Sequence, residues 1–156
     1  YKQAATPLFN SEDVTEMDKH SICVANNEVT DIAPDMRLTF YNSGHCLGSS
    51  MVHLNIGNGA HNLLYCADFK YDKSRLLDPA VNIFPRVETV ITESTYGGKD
   101  NLFPPRQKAE EEIIELIKKT IERKGKVLIP ELGLGRAQET MLILEDAIAF
   151  FTVSYS

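Results

Sequence analysis

Two groups in this chain are best suited to chemistry. One is a histidine set between glycines, in Asn42-Ser43-Gly44-His45-Cys46-Leu47-Gly48-Ser49-Ser50; the other is an aspartate closing an apolar run, in Cys66-Ala67-Asp68-Phe69-Lys70. A neutral imidazole and a carboxylate are both ligands for a divalent metal such as zinc, at about 2.0–2.2 Å. Gly44 and Gly48 would let backbone come close to a metal or substrate. A third group, Glu93 in Glu93-Ser94-Thr95-Tyr96-Gly97-Gly98, also closes an apolar run. All three fall at or just past the C-terminal ends of expected strands, where α/β folds gather functional groups. Residue type alone also allows plainer roles: a hydrogen-bonded loop histidine, and an aspartate capping the turn toward Tyr71.

A second candidate site spans Pro130 to Glu139. A strand, a glycine-bearing loop and a helix start would make a phosphate cradle, because unpaired amides and the helix dipole favour anions. Gly135 and Arg136 would face the phosphate, the guanidinium being suited to bidentate contact. The spacing is not that of a P-loop. The competing role for Arg136 is an ion pair with Glu139 or Glu131. Lys70, Lys73 and Arg75 would extend a positive rim or lie on a solvated loop. His53 points opposite Val52 and Leu54, solvated or packed under a loop, and His61 follows a turn in an exposed position.

Local patterns predict the elements that must hold these groups. Asn10-Ser11-Glu12-Asp13 starts a short helix through Val14, Met17 and His20. Strands are expected over Ser21 to Asn26 and Arg37 to Tyr41, the second introduced by Pro34-Asp35. Met51 to Ile56 alternates, and Gly57-Asn58-Gly59 turns it into a hairpin with Asn62 to Ala67. Val87 to Thr92 reads as a strand, and Arg106 to Arg123 as a helix with Ile113, Ile114, Ile117 and Ile121 on one face, stopped by Gly125. Val127 to Pro130 reads as a buried strand, followed by a helix from about Ala137 to Ala149. The second half is therefore expected to be an α/β unit with parallel pairing.

The 156 residues suffice for one ordinary domain or parts of two, and 43% hydrophobic with 24% charged residues are globular values. A net charge of −6 argues against bulk attraction to nucleic acid or an anionic membrane, but not against a local basic groove. No apolar run reaches membrane-spanning length. Tyr1-Lys2-Gln3 has neither an initiator Met nor a signal peptide, so the chain reads as a piece of something longer. Cys23, Cys46 and Cys66 lack CxxC spacing and are expected to be free thiols in a cytosolic protein.

Gly44-His45-Cys46-Leu47-Gly48-Ser49, Ala67-Asp68-Phe69, Glu93-Ser94-Thr95-Tyr96-Gly97 and Gly135-Arg136-Ala137-Gln138-Glu139 stand in an order and spacing that resembles the metallo-β-lactamase-fold ribonucleases with a β-CASP domain. Most similar are the archaeal homologues of the cleavage and polyadenylation specificity factor endonuclease, over about Thr6 to Asp146. The resemblance implies that His45 is a zinc ligand, that Asp68 bridges two zinc ions, and that Glu93 orients a histidine from later in the chain. The implied chemistry is hydrolysis of an RNA phosphodiester by water activated between two zinc ions.

The departures are as informative. The upstream H-x-H-x-D-H motif of that family is not here, since the four histidines are His20, His45, His53 and His61. The later β-CASP histidines are also missing, and Cys66-Ala67 stands where the family usually has Thr-Gly. Beyond Asp146 the tail loses the resemblance, and Phe150-Phe151-Thr152-Val153 has strand-like character. The expected fold is α/β: a partial metallo-β-lactamase αββα sandwich over residues 1–98, then the start of a β-CASP domain over 99–156. The expected function is part of a zinc-dependent endoribonuclease in RNA 3′-end processing or decay, inactive in isolation. The alternative is a catalytically silent paralogue or an RNA-binding scaffold subunit. RNA is the expected partner, with a homodimer or processing-complex subunits beside it, no membrane, and a cytoplasmic location. The apolar faces of Val52, Leu54 and Ile56 would be left exposed.

Overall fold

The computed structural model describes residues 7–154, with side chains through residue 148; the readings made on Tyr1 to Gln3 and on the last two residues lie outside it. The chain is α/β, with one mixed sheet of five strands and three helices among the described residues. The elements are α1 (Ser11–Lys19), β1 (Val29–Ala33), β2 (Met36–Asn42), β3 (Ser50–Ile56), β4 (His61–Cys66), β5 (Thr89–Thr92), α2 (Arg106–Glu122) and α3 (Arg136–Ser154). The sheet runs in sequence order, antiparallel from β1 to β4, and closes with β5 parallel to β4.

Local chemistry accounts for most boundaries. Asn10 caps α1 with its side chain, and Asp13 returns the bond in a capping box. The β3–β4 hairpin turns at Gly57-Asn58-Gly59, all three with positive φ. At the end of α2, Lys124 takes the left-handed position (φ 58°), Gly125 N–H reaches Thr120 O at 2.8 Å, and Lys124 N–H reaches Ile121 O at 2.7 Å. That pair of bonds is a Schellman motif, so Lys124, not Gly125, makes the reversal.

The core lies on one face of the sheet. Met51, Leu64, Cys66 and Ala80 are buried, with Tyr41, Val81, Phe84 and Val87 packed around them. Register puts His53 opposite Leu64 and Thr39, on that same face. The long β4–β5 connection, not a helix, covers it. His53 is therefore only 6% exposed, its Nε2 2.9 Å from Arg86 O, packed under a loop. Val52, Leu54 and Ile56, on the opposite face, are half-buried rather than bare.

Four expectations on local structure need correction. Residues 21–25 form no strand; only Asn26 bridges to Phe40, and the edge strand is β1 instead. Val127 to Pro130 is neither strand nor buried: Leu128 is 91% exposed, because no neighbouring strand takes its hydrogen bonds. Among the described residues, parallel pairing between strands is thus confined to β4 and β5, with the isolated Asn26–Phe40 bridge as the other parallel contact. Phe150 to Val153 is helical, since α3 continues to Ser154; β-branched and aromatic residues lower helix propensity only modestly.

Candidate functional site

His45 sits on the loop between β2 and β3, and that loop is pinned from both sides. Ser43 N–H donates to Ser49 O at 3.1 Å, and the buried Ser43 hydroxyl donates to Ser49 Oγ at 2.8 Å. Gly44 N–H donates to Asn42 Oδ1 at 3.0 Å, while the Asn42 amide donates to the carbonyls of Asp78 and Pro79. Lys70 N–H donates to Ser43 O at 2.8 Å. This last bond lays the segment carrying Asp68 directly beside the histidine loop. Gly44 is required here: at φ 66°, a Cβ would stand 2.8 Å from both Ala80 N and Lys70 O.

The structure sets two of the residues singled out from sequence, His45 and Asp68, side by side. His45 Nε2 lies 3.7 Å from Asp68 Oδ2, both side chains open to solvent. The Glu93 carboxylate accepts Thr95 N–H at 2.5 Å. That bond, the Thr95 hydroxyl and the nearby His45 ring together hold the Glu93 carboxyl below its ordinary range, against the opposing effect of burial. Two donors on one tetrahedral zinc, each at about 2.0–2.2 Å, stand roughly 3.4 Å apart. The His45–Asp68 pair fits two positions of such a centre. It does not complete one, because among the described residues no three His, Cys, Asp or Glu side chains group closely enough to hold a metal ion.

The second candidate site faces the first. A small cavity is lined by Gly44, His45 and Lys70 on one side and by Leu134, Gly135 and Arg136 on the other. It adjoins a broader cleft bordered by Lys70, Lys73, Arg106 and Arg136, with Asp72, Glu110 and Glu139 among them. Gly135 (φ 93°) immediately precedes α3, and its N–H donates to Gln138 Oε1 at 2.8 Å. Its role is therefore the turn and the cap, not a free donor. Neither acid expected to compete for Arg136 does so. Glu131 accepts the Thr140 hydroxyl at 2.6 Å, and Glu139 accepts Arg75 N–H at 2.8 Å and Leu76 N–H at 3.3 Å. Arg136 is exposed at the cleft edge without an ion pair among the described residues.

Arg75 is not part of a positive rim. Its guanidinium binds Glu110 at 2.7 Å and also Asp146, which raises its pKa further. Arg106 holds the same Glu110 at 2.6 Å. The carboxyl of Glu110 is kept below the usual range by Arg75 first, with Arg106 assisting and burial opposing. Nothing in the sequence reading pointed to this network. Only the Arg106–Glu110 spacing of four residues was open to detection.

A mixed α/β chain in which a histidine, paired with an aspartate, shares a small cavity with an arginine-bearing helix start is the class that fold and site define. No family model matches it. It is 54% identical over 140 residues to the transcription termination factor FttA of Methanothermobacter thermautotrophicus, and 54% identical over 140 residues to that of Thermococcus kodakarensis. To the transcription termination factor FttA of Lokiarchaeum it is 47% identical over 148 residues. These alignments cover 90%, 90% and 95% of the chain, but only 22%, 22% and 23% of the relatives. The chain thus spans about a fifth of the length of the curated relatives it matches. No helix among the described residues is long and apolar enough to cross a membrane.

Proposed function

We propose that this chain is part of a zinc-dependent endoribonuclease of the metallo-β-lactamase and β-CASP type, acting on RNA at transcript ends. In this reading residues 1–98 belong to the metallo-β-lactamase segment and 99–156 begin the β-CASP domain. One observation carries it: His45, 3.7 Å from Asp68, lines a small cavity that Arg136 also lines. Similarity to proteins named transcription termination factors supports a transcript as the substrate.

His45 and Asp68 would each supply a zinc ligand, and the remaining ligands would come from elsewhere in a longer protein. The chemistry such ions supply is Lewis-acid neutralisation of charge on a phosphate. The chain's own residues have distinct tasks. Arg136 binds a backbone phosphate, with Lys70 and Lys73 along the same cleft, despite the overall charge of −6. Glu93, anionic and rigidly held by Thr95, is placed to orient a partner imidazole.

The test is cleavage of a single-stranded RNA by the intact protein carrying His45→Ala or Asp68→Ala. Loss of cleavage by both variants, with RNA binding retained, supports the reading. Unchanged cleavage sinks it. A silent RNA-binding scaffold is the second reading, resting on Arg136, which is exposed at the cleft without an ion pair among the described residues. It predicts RNA binding by the wild type without cleavage.

A further inference from the structure

Glu139 lies three residues, one helical turn, beyond Arg136, yet its carboxylate is committed to a distant part of the chain. Oε1 accepts the main-chain N–H groups of Arg75 and Leu76, and Oε2 lies 3.5 Å from Arg106 Nη2. The side chain is only 14% exposed. Burial disfavours its charge, but the bonds from Ser74 and Leu76 and the charges of Arg106 and Lys70 outweigh that, leaving the carboxyl below its ordinary range. A buried carboxylate is tolerated only when satisfied in this way.

The segment that Glu139 grips is the same one that carries the other wall of the cavity. Arg75 in that segment reaches Glu110 and Asp146, so acids from both α2 and α3 hold it. Its flanks are bonded to each other, Ala80 N–H to Lys70 O at 2.8 Å, and to the residues just before His45, Val81 N–H to Asn42 O at 3.0 Å and Lys70 N–H to Ser43 O at 2.8 Å. A continuous path of short bonds therefore runs from His45, through residues 70–80, to Glu139. From there one rigid turn of helix, about 4.5 Å along the axis, leads to Arg136.

We propose that Glu139 is a positioning residue: by gripping residues 74–77 it sets Arg136 at a fixed distance from the His45–Asp68 pair, so that one RNA backbone contacts both. The inference rests on the reading of Arg136 as a phosphate contact. Loop and helix surfaces held only by apolar packing can slide by a fraction of a turn. Two N–H bonds to one carboxylate oxygen fix both distance and direction.

The test uses the intact protein, amide hydrogen exchange at Arg75 and Leu76, and affinity for a single-stranded RNA oligonucleotide. Glu139→Ala is expected to speed exchange at both amides at least tenfold and to weaken RNA binding about tenfold. In an Arg136→Ala background it should weaken binding no further, because the residue it positions is already gone. Glu139→Gln keeps the oxygen that accepts both N–H groups and should restore exchange and affinity to near the wild-type values. An equal loss of affinity in both backgrounds overturns the proposal, as does unchanged exchange in Glu139→Ala or a Gln variant no better than Ala. A wild-type protein without RNA affinity would overturn the proposed function and the positioning role with it, while the exchange data would still decide whether Glu139 grips the loop.

Discussion

Gly44 and Gly48 occupy the same loop and both have left-handed backbone, at φ 66° and 80°, but their surroundings differ sharply. A Cβ on Gly44 would meet Ala80 N and Lys70 O at 2.8 Å and Asp78 O at 2.9 Å, all main-chain atoms that carry the loop's hydrogen bonds. A Cβ on Gly48 would meet nothing within 4 Å. The left-handed conformation alone costs a non-glycine residue about 1–2 kcal/mol. Overpacking against atoms that cannot swing aside adds about 1–3 kcal/mol. Gly44→Ala should therefore destabilise by about 2–5 kcal/mol, and Gly48→Ala by about 1–2 kcal/mol. Urea unfolding of the intact variants, followed by tryptophan-independent far-UV circular dichroism, measures the difference. Gly44→Ala should also loosen the loop, seen as faster exchange of the Gly44 and Lys70 amides. A Gly44 variant as stable as the Gly48 variant would refute the claim that close backbone approach dictates glycine there.

Other consequences follow from the charges and thiols. Glu110 has a lowered folded pKa, so the stability it contributes is present above its unfolded value, about 4.3, and is lost as pH falls through the lower folded one. Urea midpoints should therefore drop on acidification below about pH 4.3, and Glu110→Gln should flatten that slope; parallel slopes would contradict the network. Arg75→Met should lower the midpoint more than Lys73→Met, because Arg75 joins two acids on two helices while the exposed Lys73 faces Asp78 alone at 3.5 Å. Iodoacetamide at neutral pH should modify exposed Cys23 first and spare Cys66, which is buried and whose thiol pKa is raised by burial. Peptide mass spectrometry reads the order, and early labelling of Cys66 would contradict the core placement.

What the sequence disclosed depended on how local the cause was. The β3–β4 hairpin was legible because Gly57-Asn58-Gly59 supplies three residues suited to positive φ. The Asn10 cap and the span of α2 were legible for the same reason: the signals lie within a few residues. Strands at the margins were not. Val29–Ala33 contains Asp31 and is mostly exposed, whereas Ile22, Val24 and Leu128 look like strand residues but find no ladder to join. Pairing is a tertiary event that propensity does not encode. The buried face of β3 was also hidden, since a histidine at 6% exposure is held by the Arg86 carbonyl, 33 residues away. In the site, the motifs brought out His45, Asp68 and Glu93; the fold sets the first two 3.7 Å apart, and the charge of His45 reaches Glu93. The commitment of Glu139 to Arg75 and Leu76 spans more than sixty residues and left no local mark.

Zinc content of the intact protein, measured by elemental analysis beside its His45→Ala and Asp68→Ala variants, tests the central claim most directly. Two zinc ions per intact wild-type chain are expected, with less in the His45 variant and least in the Asp68 variant, whose carboxylate is proposed to serve both ions. Equal zinc in all three, or none in the wild type, would contradict it.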